Sequence, residues 1–257
     1  MAPDDRLELL GCPFDRLTMQ SALRQCIEWC RLPRASHTVI TMNAALLCAM
    51  RSDPQLREAC LRGDMIVPDG VPVVWTSRLA GVPLPERVAG VDLMAGLLAA
   101  GATHRLSAYF LGARREVVEE LVRRCAREHP GLIVAGFRDG YFGADEHATI
   151  VDEIRSRAPH LLFVGMPSPF KETWCERHRV ALNVPVIMGV GGTFDVLAGY
   201  VRRAPRVLQS LALEWSWRLA MEPRKMWKRY LLTNSHYLWL AAGEILKRRV
   251  HAAPRVA

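Results

Sequence analysis

Two short segments carry polar side chains that could bind a ligand or move a proton. Thr41 and Asn43 stand two positions apart at the end of an apolar run, so in a strand they would point the same way. Asp69 follows the apolar residues 65–67 and precedes Gly70. A hydroxyl and an amide at a strand end could hold a sugar or a phosphate, and a carboxylate there could act as a general base. The alternative is that Asn43 and Asp69 cap the helices that follow, and spacing alone favours that alternative for both.

Glycine-rich turns suggest a second kind of site. The segment 189–195 ends a predicted strand and opens a predicted helix. Backbone amides at Gly191 and Gly192 could bind a phosphate, and the carboxylate of Asp195 could accept hydrogen bonds from ribose hydroxyls. The glycine spacing is not that of the dinucleotide-binding fingerprint. Gly112 makes a similar turn after an earlier strand and could face the same ligand, although a plain tight turn is the simpler explanation there.

A loop stiffened by two prolines, residues 165–174, leads from a predicted strand into a predicted helix. Lys171 and Glu172 would lie in the first turn of that helix. Glu172 complements the positive end of the helix dipole there, which explains it without any ligand. Lys171 is mildly unfavourable at such a position unless an anion meets it.

All of these segments need a scaffold that brings strand ends together. Strands are predicted at 7–10, 37–41, 65–67, 107–111, 132–137, 161–164 and 186–190. Helices are predicted at 19–31, 44–50, 54–62, 70–79, 90–100, 114–128, 145–157, 171–179 and 193–200. This alternation predicts an α/β fold with a parallel sheet covered by helices on both faces. Ligands in such folds bind outside the carboxyl ends of the strands.

The alternation stops near residue 200, so we predict an α/β core at 1–200 and a basic helical appendage at 201–257. The whole chain has a formal net charge of +8, and the residues after 199 contain 12 Lys and Arg against three Glu. Between residues 214 and 230, Trp and Met alternate with Arg and Lys. That pattern suits a surface that meets phosphates and lipid together. A solvated helical face whose aromatic side chains pack on the core is the alternative.

Composition narrows the class of protein. Half of the 257 residues are hydrophobic and 23% are charged, which is typical of a globular protein and not of a disordered chain. Seven scattered cysteines without a Cys-x-x-Cys pair predict reduced thiols and no zinc site. No Asp-x-Asp occurs and the histidines lack metal-ligand spacing, so neither a metal nor another cofactor is expected. The acidic start and the absence of a long apolar run predict neither a signal peptide nor a membrane-spanning segment.

Further motifs accompany these segments in order along the chain. They are Glu86-Arg-Val-Ala-Gly-Val-Asp-Leu93, Arg203-Ala-Pro205, Leu213-Glu-Trp215, Glu222-Pro-Arg224 and Arg229-Tyr230. Together with the segments above, they resemble the WecG/TagA/CpsF family of bacterial glycosyltransferases over residues 7 to 230. The resemblance implies a Rossmann-like core with a C-terminal appendage. It also implies an inverting, metal-independent transfer of a sugar from a UDP donor to a polyprenyl-diphosphate-linked saccharide. The sugar is often N-acetylmannosamine (ManNAc) or its uronic acid (ManNAcA), and sometimes glucose.

The resemblance implies roles for individual residues and reverses the capping interpretation of Asp69. Asp69 would be the base that deprotonates the acceptor hydroxyl, and Thr41 and Asn43 would line the sugar pocket. Arg87 would meet the diphosphate. The predicted substrate-binding residues are Arg87, Gly112, Lys171, Glu172, Gly191, Gly192, Asp195, Arg218, Arg224 and Arg229.

Lys171 and the arginines of the tail are included in this predicted substrate-binding set for different reasons. Many family members have Gln where this chain has Lys171, which leaves the usual donor preference open and could give Lys171 a phosphate to bind. In the tail, Arg218, Arg224 and Arg229 are expected to bind the diphosphate of the acceptor, because Arg can grip phosphate through two hydrogen bonds.

The sequence therefore predicts a UDP-sugar glycosyltransferase in surface or exopolysaccharide synthesis, peripheral on the cytoplasmic face of the cell membrane. Its predicted partners are the UDP-sugar, the polyprenyl-diphosphate-linked acceptor and the membrane surface, but no nucleic acid. A homo-oligomer is left open. A nucleotide-dependent oxidoreductase would need a Gly-x-Gly-x-x-Gly after the first strand, which Gly11-Cys-Pro-Phe14 does not supply. A nucleic-acid-binding protein with a basic tail would not need the polar turns at strand ends.

Overall fold

A computed structural model describes residues 6–205 and 223–252 of the chain, together with 208, 213, 216, 217 and 219. The strands are β1 (Arg6–Leu9), β2 (Cys12–Asp15), β3 (His37–Met42), β4 (Met65–Pro68), β5 (Ser107–Gly112), β6 (Ile133–Arg138), β7 (Leu161–Gly165) and β8 (Val186–Gly189). The helices are α1 (Met19–Arg31), α2 (Ala44–Ala49), α3 (Pro54–Leu61), α4 (Val71–Leu79), α5 (Gly90–His104), α6 (Arg115–Glu128), α7 (His147–Arg157), α8 (Phe170–Leu182), α9 (Thr193–Leu197) and α10 (Pro223–Ala252). In α10, side chains are described from residue 233 to residue 250.

Six strands form one parallel sheet in the order β4-β3-β8-β7-β5-β6. The central strands β5 and β7 are buried along their whole length, as expected for a sheet covered on both faces. One face packs α1, α5, α6 and α9, and Phe110 and Phe163 of the sheet stack there at 5.8 Å between ring centroids. The other face packs α7 and α8. This arrangement confirms the predicted α/β fold.

A separate antiparallel hairpin of β1 and β2 departs from the sequence prediction, which had a single strand at 7–10. Leu10 and Gly11 form its turn with φ of 55° and 72°. Asp15 is buried, forms an ion pair with Arg6, and accepts a hydrogen bond from the backbone of Ile66. The second strand, Cys-Pro-Phe-Asp, is therefore held by contacts with distant residues and lacks the apolar run that would have predicted it.

Helix α9 is shorter than the predicted 193–200 and ends at Leu197. Gly199 follows with φ of 83°, a conformation that glycine adopts without steric cost. The amide of Val201 then donates to the carbonyl of Asp195 at 3.0 Å. The chain thus turns back on α9 where the prediction continued the helix.

The second half of α10 packs on the core, beside α2 and α4. Tyr237 and Ala241 are buried in the same apolar cluster as Leu46, Leu47 and Val73. The hydroxyls of Tyr237 and Thr76 lie 2.9 Å apart, and burial raises the pKa of Tyr237 to about 12, so its hydroxyl stays neutral. The boundary near residue 200 remains a prediction, and the end of the appendage shares a core with residues before it. Within the described ranges, no helix is both long and apolar enough to cross a bilayer.

Candidate functional site

Strands β3 and β4 end side by side and bring Thr41 and Asp69 to the same face of the sheet, because β3 residue 41 pairs with residue 67 and side chains alternate. The first residue of α5, Gly90, lies against both. A Cβ atom at Gly90 would lie 3.0 Å from Thr41 Oγ1 and 3.4 Å from Asp69 Oδ2. Arg87 Nη2 lies 3.8 Å from Asp69 Oδ1. We call Thr41, Asp69, Arg87 and Gly90 the carboxylate cluster.

Backbone hydrogen bonds fix the position of Asp69. Its amide donates to the carbonyl of Met42 at 2.8 Å, and the carbonyl of Pro68 accepts from Val88 at 2.8 Å. The capping interpretation that spacing alone favoured for Asp69 is wrong, because the N-cap of α4 is Gly70 and no side chain caps that helix. The side chain of Asp69 is 23% exposed and that of Arg87 is 18% exposed. A ligand can therefore reach the carboxylate.

Asn43 follows β3 and caps α2. Its Oδ1 accepts a hydrogen bond from the amide of Leu46 at 3.0 Å, so the capping interpretation of this residue is confirmed. Asn43 also borders the carboxylate cluster, since a Cβ atom at Gly70 would lie 3.9 Å from its Cβ. A contact between Asn43 and a sugar remains a prediction.

The glycine loop, residues 189–195, meets the proline loop, residues 165–174. The aliphatic stem of Lys171 runs over Gly189, where a Cβ atom would lie 3.2–3.4 Å from the stem carbons. Gly191 adopts φ of 54° and Gly192 is the N-cap of α9, and neither has close neighbours where a side chain would begin. Asp195 is half-buried in the first turn of α9. These two loops therefore form one continuous surface at the ends of β7 and β8.

The anion that pairs with Lys171 is a side chain of the protein itself, Glu172. Glu172 is 4% exposed, and Lys171 Nζ donates to Ser168 Oγ at 2.6 Å. Ser168 Oγ in turn donates to Glu172 Oε1 at 2.8 Å. Both charged residues also line a small cavity against β3, with Leu46. Ser168 was not among the predicted site residues, since nothing but its position in the proline loop could have suggested it.

Gly112 ends β5 with φ of 128°, and a Cβ atom there would lie 2.5 Å from the carbonyl oxygen of Gly165. Close packing against β7 thus requires glycine, which supports the tight-turn interpretation. Gly112 lies at the same sheet edge as Thr41 but is not beside it. Three strand spacings separate β3 from β5, which is roughly 14 Å.

The predicted tail residues fall largely outside this description. Arg218 is outside the described residues. Arg224 and Arg229 belong to α10, and their side chains are likewise outside what is described. Over the described residues, no three His, Cys, Asp or Glu side chains are grouped so that they could hold a metal ion.

The candidate site therefore extends along the carboxyl-terminal edge of the sheet. The carboxylate cluster lies at the ends of β3 and β4, and turns that contain glycine follow β8, β7 and β5. This places the protein among the α/β proteins that bind ligands at the carboxyl ends of their strands. Comparison with known proteins narrows the class, since residues 7–251 match the glycosyl transferase WecG/TagA/CpsF family. The chain belongs to this family of glycosyltransferases, as the sequence motifs indicated.

Similar proteins in three organisms share one name, N-acetylglucosaminyldiphosphoundecaprenol N-acetyl-beta-D-mannosaminyltransferase. The protein from Bacillus spizizenii is 34% identical over 193 residues, which cover 75% of this chain and 74% of the relative. The one from Bacillus subtilis strain 168 is 30% identical, covering 84% of this chain and 83% of the relative. The one from Staphylococcus aureus strain MW2 is 29% identical, covering 96% of both chains.

Proposed function

We propose that this protein transfers a hexose or N-acetylhexosamine, of the ManNAc, ManNAcA or glucose type, from a UDP-sugar to a polyprenyl-diphosphate-linked saccharide. The names of the relatives make ManNAc the first sugar to test and N-acetylglucosaminyldiphosphoundecaprenol the first acceptor. The reaction is a direct displacement that inverts the anomeric centre and uses no metal. It serves the synthesis of a surface or exported polysaccharide at the cytoplasmic face of the membrane.

The observation that carries the proposal is the carboxylate cluster. Asp69 lies at a strand end, within reach of solvent, with Thr41 and Gly90 against it and Arg87 at 3.8 Å. Direct displacement needs one base, which takes the proton of the acceptor hydroxyl as its oxygen attacks the anomeric carbon. Asp69 would take this proton, and glycine at position 90 lets the start of α5 lie close to its carboxylate.

The glycine loop supports the donor half of the proposal. Gly191 and Gly192 lead into the N-terminus of α9, where backbone amides and the helix dipole favour a phosphate. Asp195 in the first turn would accept hydrogen bonds from the ribose, and Arg87 would meet the charge that grows on UDP as the glycosidic bond breaks. Lys171, which packs against Gly189, lies at the same surface.

The acceptor half of the proposal depends on the tail. The chain after residue 199 has 12 basic residues against three acidic ones, which favours a surface of anionic lipid and the diphosphate of a lipid-linked acceptor. Arg224 and Arg229 are our first choices for that diphosphate. The second half of α10 packs on α2 and α4, the helices that follow β3 and β4, and this supports an appendage close to the site.

The test is a screen of UDP-sugars with a synthetic polyprenyl-diphosphate-GlcNAc acceptor, read out as acceptor-dependent UDP release and as the mass of the product. We expect one UDP-sugar to support transfer and the product to have the opposite anomeric configuration, measured by NMR. UDP-glucose, UDP-ManNAc and UDP-ManNAcA are compared at equal concentration. If none of them transfers a sugar while a sugar donor carrying a different nucleotide does, the proposed donor class is wrong.

A further inference from the structure

After α9, the chain passes from the glycine loop to the first turn of α5, two residues from Gly90 of the carboxylate cluster. Gly199 turns the chain with φ of 83°, and the amide of Val201 donates to the carbonyl of Asp195 at 3.0 Å. Arg124 lies against this turn, since a Cβ atom at Gly199 would be 2.4 Å from its Nη2. We call residues 198–205 the crossing segment. Its start is therefore fixed to the residue that the proposed function assigns to the UDP site.

The far end of the crossing segment is fixed to α5. Arg203 Nη1 donates to Asp92 Oδ1 at 2.5 Å, and its Nη2 donates to Asp92 Oδ2 at 2.7 Å. Two parallel bonds between a guanidinium and a carboxylate set the orientation of both groups as well as their distance. Ala204, the next residue, is buried. Asp92 lies in the first turn of α5, two residues after Gly90, the residue that lies against Thr41 and Asp69.

This pair is poorly placed to stabilise the fold as a whole. The Arg203 and Asp92 side chains are 30% and 46% exposed, and exposed ion pairs contribute little to folding stability. Its geometric effect is larger, because it joins two loops that approach the same ligand from different strands. The carboxylate cluster belongs to β3, β4 and α5, whereas the glycine loop belongs to β8 and α9.

We propose that Arg203 is a positioning residue for the transfer reaction. By clamping Asp92, it holds the first turn of α5, and with it Gly90, at a fixed place relative to the glycine loop, so that a donor bound on one side meets Asp69 on the other. This inference rests on the proposed function, because the two loops are the donor and base sides of that reaction. Displacement requires the base, the acceptor oxygen and the anomeric carbon in line, and a small misplacement is costly.

The experiment compares Arg203→Gln, Asp92→Asn, the double variant and Arg203→Lys, with Arg202→Gln as a matched loss of charge on the neighbouring residue. Hydrogen exchange of the backbone amides at 90–94 is measured first, without any substrate. We expect exchange about fivefold faster in Arg203→Gln and in Asp92→Asn, and unchanged exchange in Arg202→Gln. The amides of Asp92 and Leu93, which donate to the carbonyl of Ala89, report on this first turn directly.

Kinetics with the donor and lipid-linked acceptor follow. Each single variant is expected to lower kcat about tenfold, with the UDP Kd and the KM for acceptor within about twofold of the wild type. The double variant should lose less than the product of the two single losses, because Arg203 and Asp92 share this interaction. Arg203→Lys keeps the charge but not the two parallel bonds, so its kcat should fall between those of the wild type and Arg203→Gln.

The outcomes separate this inference from the proposed function. Unchanged exchange at 90–94, or unchanged kcat in an active enzyme, overturns the positioning role and leaves the proposed function standing. A rise in acceptor KM without a fall in kcat also overturns it, because Arg203 would then serve acceptor binding. Faster exchange in a protein that transfers no sugar from any UDP donor overturns the proposed function and keeps the clamp between Arg203 and α5.

Discussion

Two carboxylate–cation pairs lie at the same edge of the sheet and differ in distance, burial and bonding. In the pair of Asp69 with Arg87, the nitrogen and oxygen are 3.8 Å apart and the side chains are 23% and 18% exposed. In the pair of Glu172 with Lys171, the side chains are only 3% and 12% exposed, and Ser168 bonds to both partners. Residue types alone would class the two pairs together.

We propose that this difference separates a carboxylate that reacts, Asp69, from one that supports the fold, Glu172. Taking charges out of water is expensive, so a buried pair such as Glu172 with Lys171 persists only with close contact and additional hydrogen bonds. Such a carboxylate has little freedom to accept a proton from a ligand. Asp69 is held by its backbone, its side chain is partly exposed and the Arg87 nitrogen is 3.8 Å away, which suits the general-base role that we propose for it.

The largest effect should come from Asp69→Asn. Because an amide cannot take the proton of the acceptor hydroxyl, we expect turnover to fall by roughly two to four orders of magnitude. UDP affinity and thermal stability should stay close to the wild type, since an amide has nearly the shape and volume of the carboxylate. Asp152→Asn, on the exposed surface of α7, is the matched control and should be fully active. Turnover near that of the wild type in Asp69→Asn would remove Asp69 as the base.

The second effect is on folding stability. Asp69→Asn should cause the larger loss of turnover, whereas Glu172→Gln should cause the larger loss of stability. Glu172→Gln leaves Lys171 without its charged partner in a largely buried place, which should lower the free energy of unfolding by about 2–4 kcal/mol. Asp69→Asn should lower it by less than about 1 kcal/mol. Glu58→Gln removes a pair with Arg62 whose side chains are both more than 60% exposed, and should cost about 0.5 kcal/mol or less.

Chemical denaturation of the three variants measures these differences in the free energy of unfolding. Equal losses in Glu172→Gln and Glu58→Gln would show that burial does not distinguish the pair at Lys171. If Asp69→Asn lowered the free energy of unfolding as much as Glu172→Gln, the predicted difference between the two pairs would also be contradicted.

The third effect concerns the glycine loop, over which the stem of Lys171 runs. Gly191→Ala should weaken UDP binding about tenfold, because backbone must approach the phosphate closely and Gly191 has φ of 54°. Gly81→Ala is a matched control, since Gly81 has φ of 75° and no atom within 4 Å of a Cβ built there, while at Gly191 the nearest atom is 3.8 Å away. Both substitutions should cost about 1–2 kcal/mol of stability from the left-handed conformation. Calorimetry that shows the same UDP affinity in both would move the nucleotide site elsewhere.

Much of the fold could be predicted because its strands are apolar runs bounded by turn residues, as in 107–111 and 161–164. The strand Cys12–Asp15 could not, because it contains one proline and one acid and depends on the ion pair of Asp15 with Arg6. The end of α9 also escaped prediction: the chain reverses at Gly199, whose φ is 83° and which lies against Arg124 from a distant helix, and the apolar pattern of 193–200 does not show this.

The site was predicted less completely than the fold. Strand ends and the family resemblance indicated Thr41, Asp69 and Arg87, which the structure brings together. Nothing in the spacing could show that Glu172 is the anion that meets Lys171, or that Arg203 reaches Asp92, 111 residues away. Such pairs depend on how distant loops are folded against each other, which local pattern does not determine.

The smallest effect should be that of removing divalent metal. The chain contains no Asp-x-Asp, and the proposal gives the charge on the leaving UDP to Arg87 and to the amides at the start of α9. We therefore expect transfer in the presence of EDTA to stay within about twofold of the untreated rate. Arg87→Gln is measured in the same assay. If Arg87 stabilises the negative charge on the leaving UDP, this variant should lose activity, and added magnesium should not restore it. Complete loss of activity in EDTA that magnesium reverses would mean that a metal ion, and not Arg87, neutralises the charge on the leaving UDP. The pair of Asp69 with Arg87 would then need a different explanation.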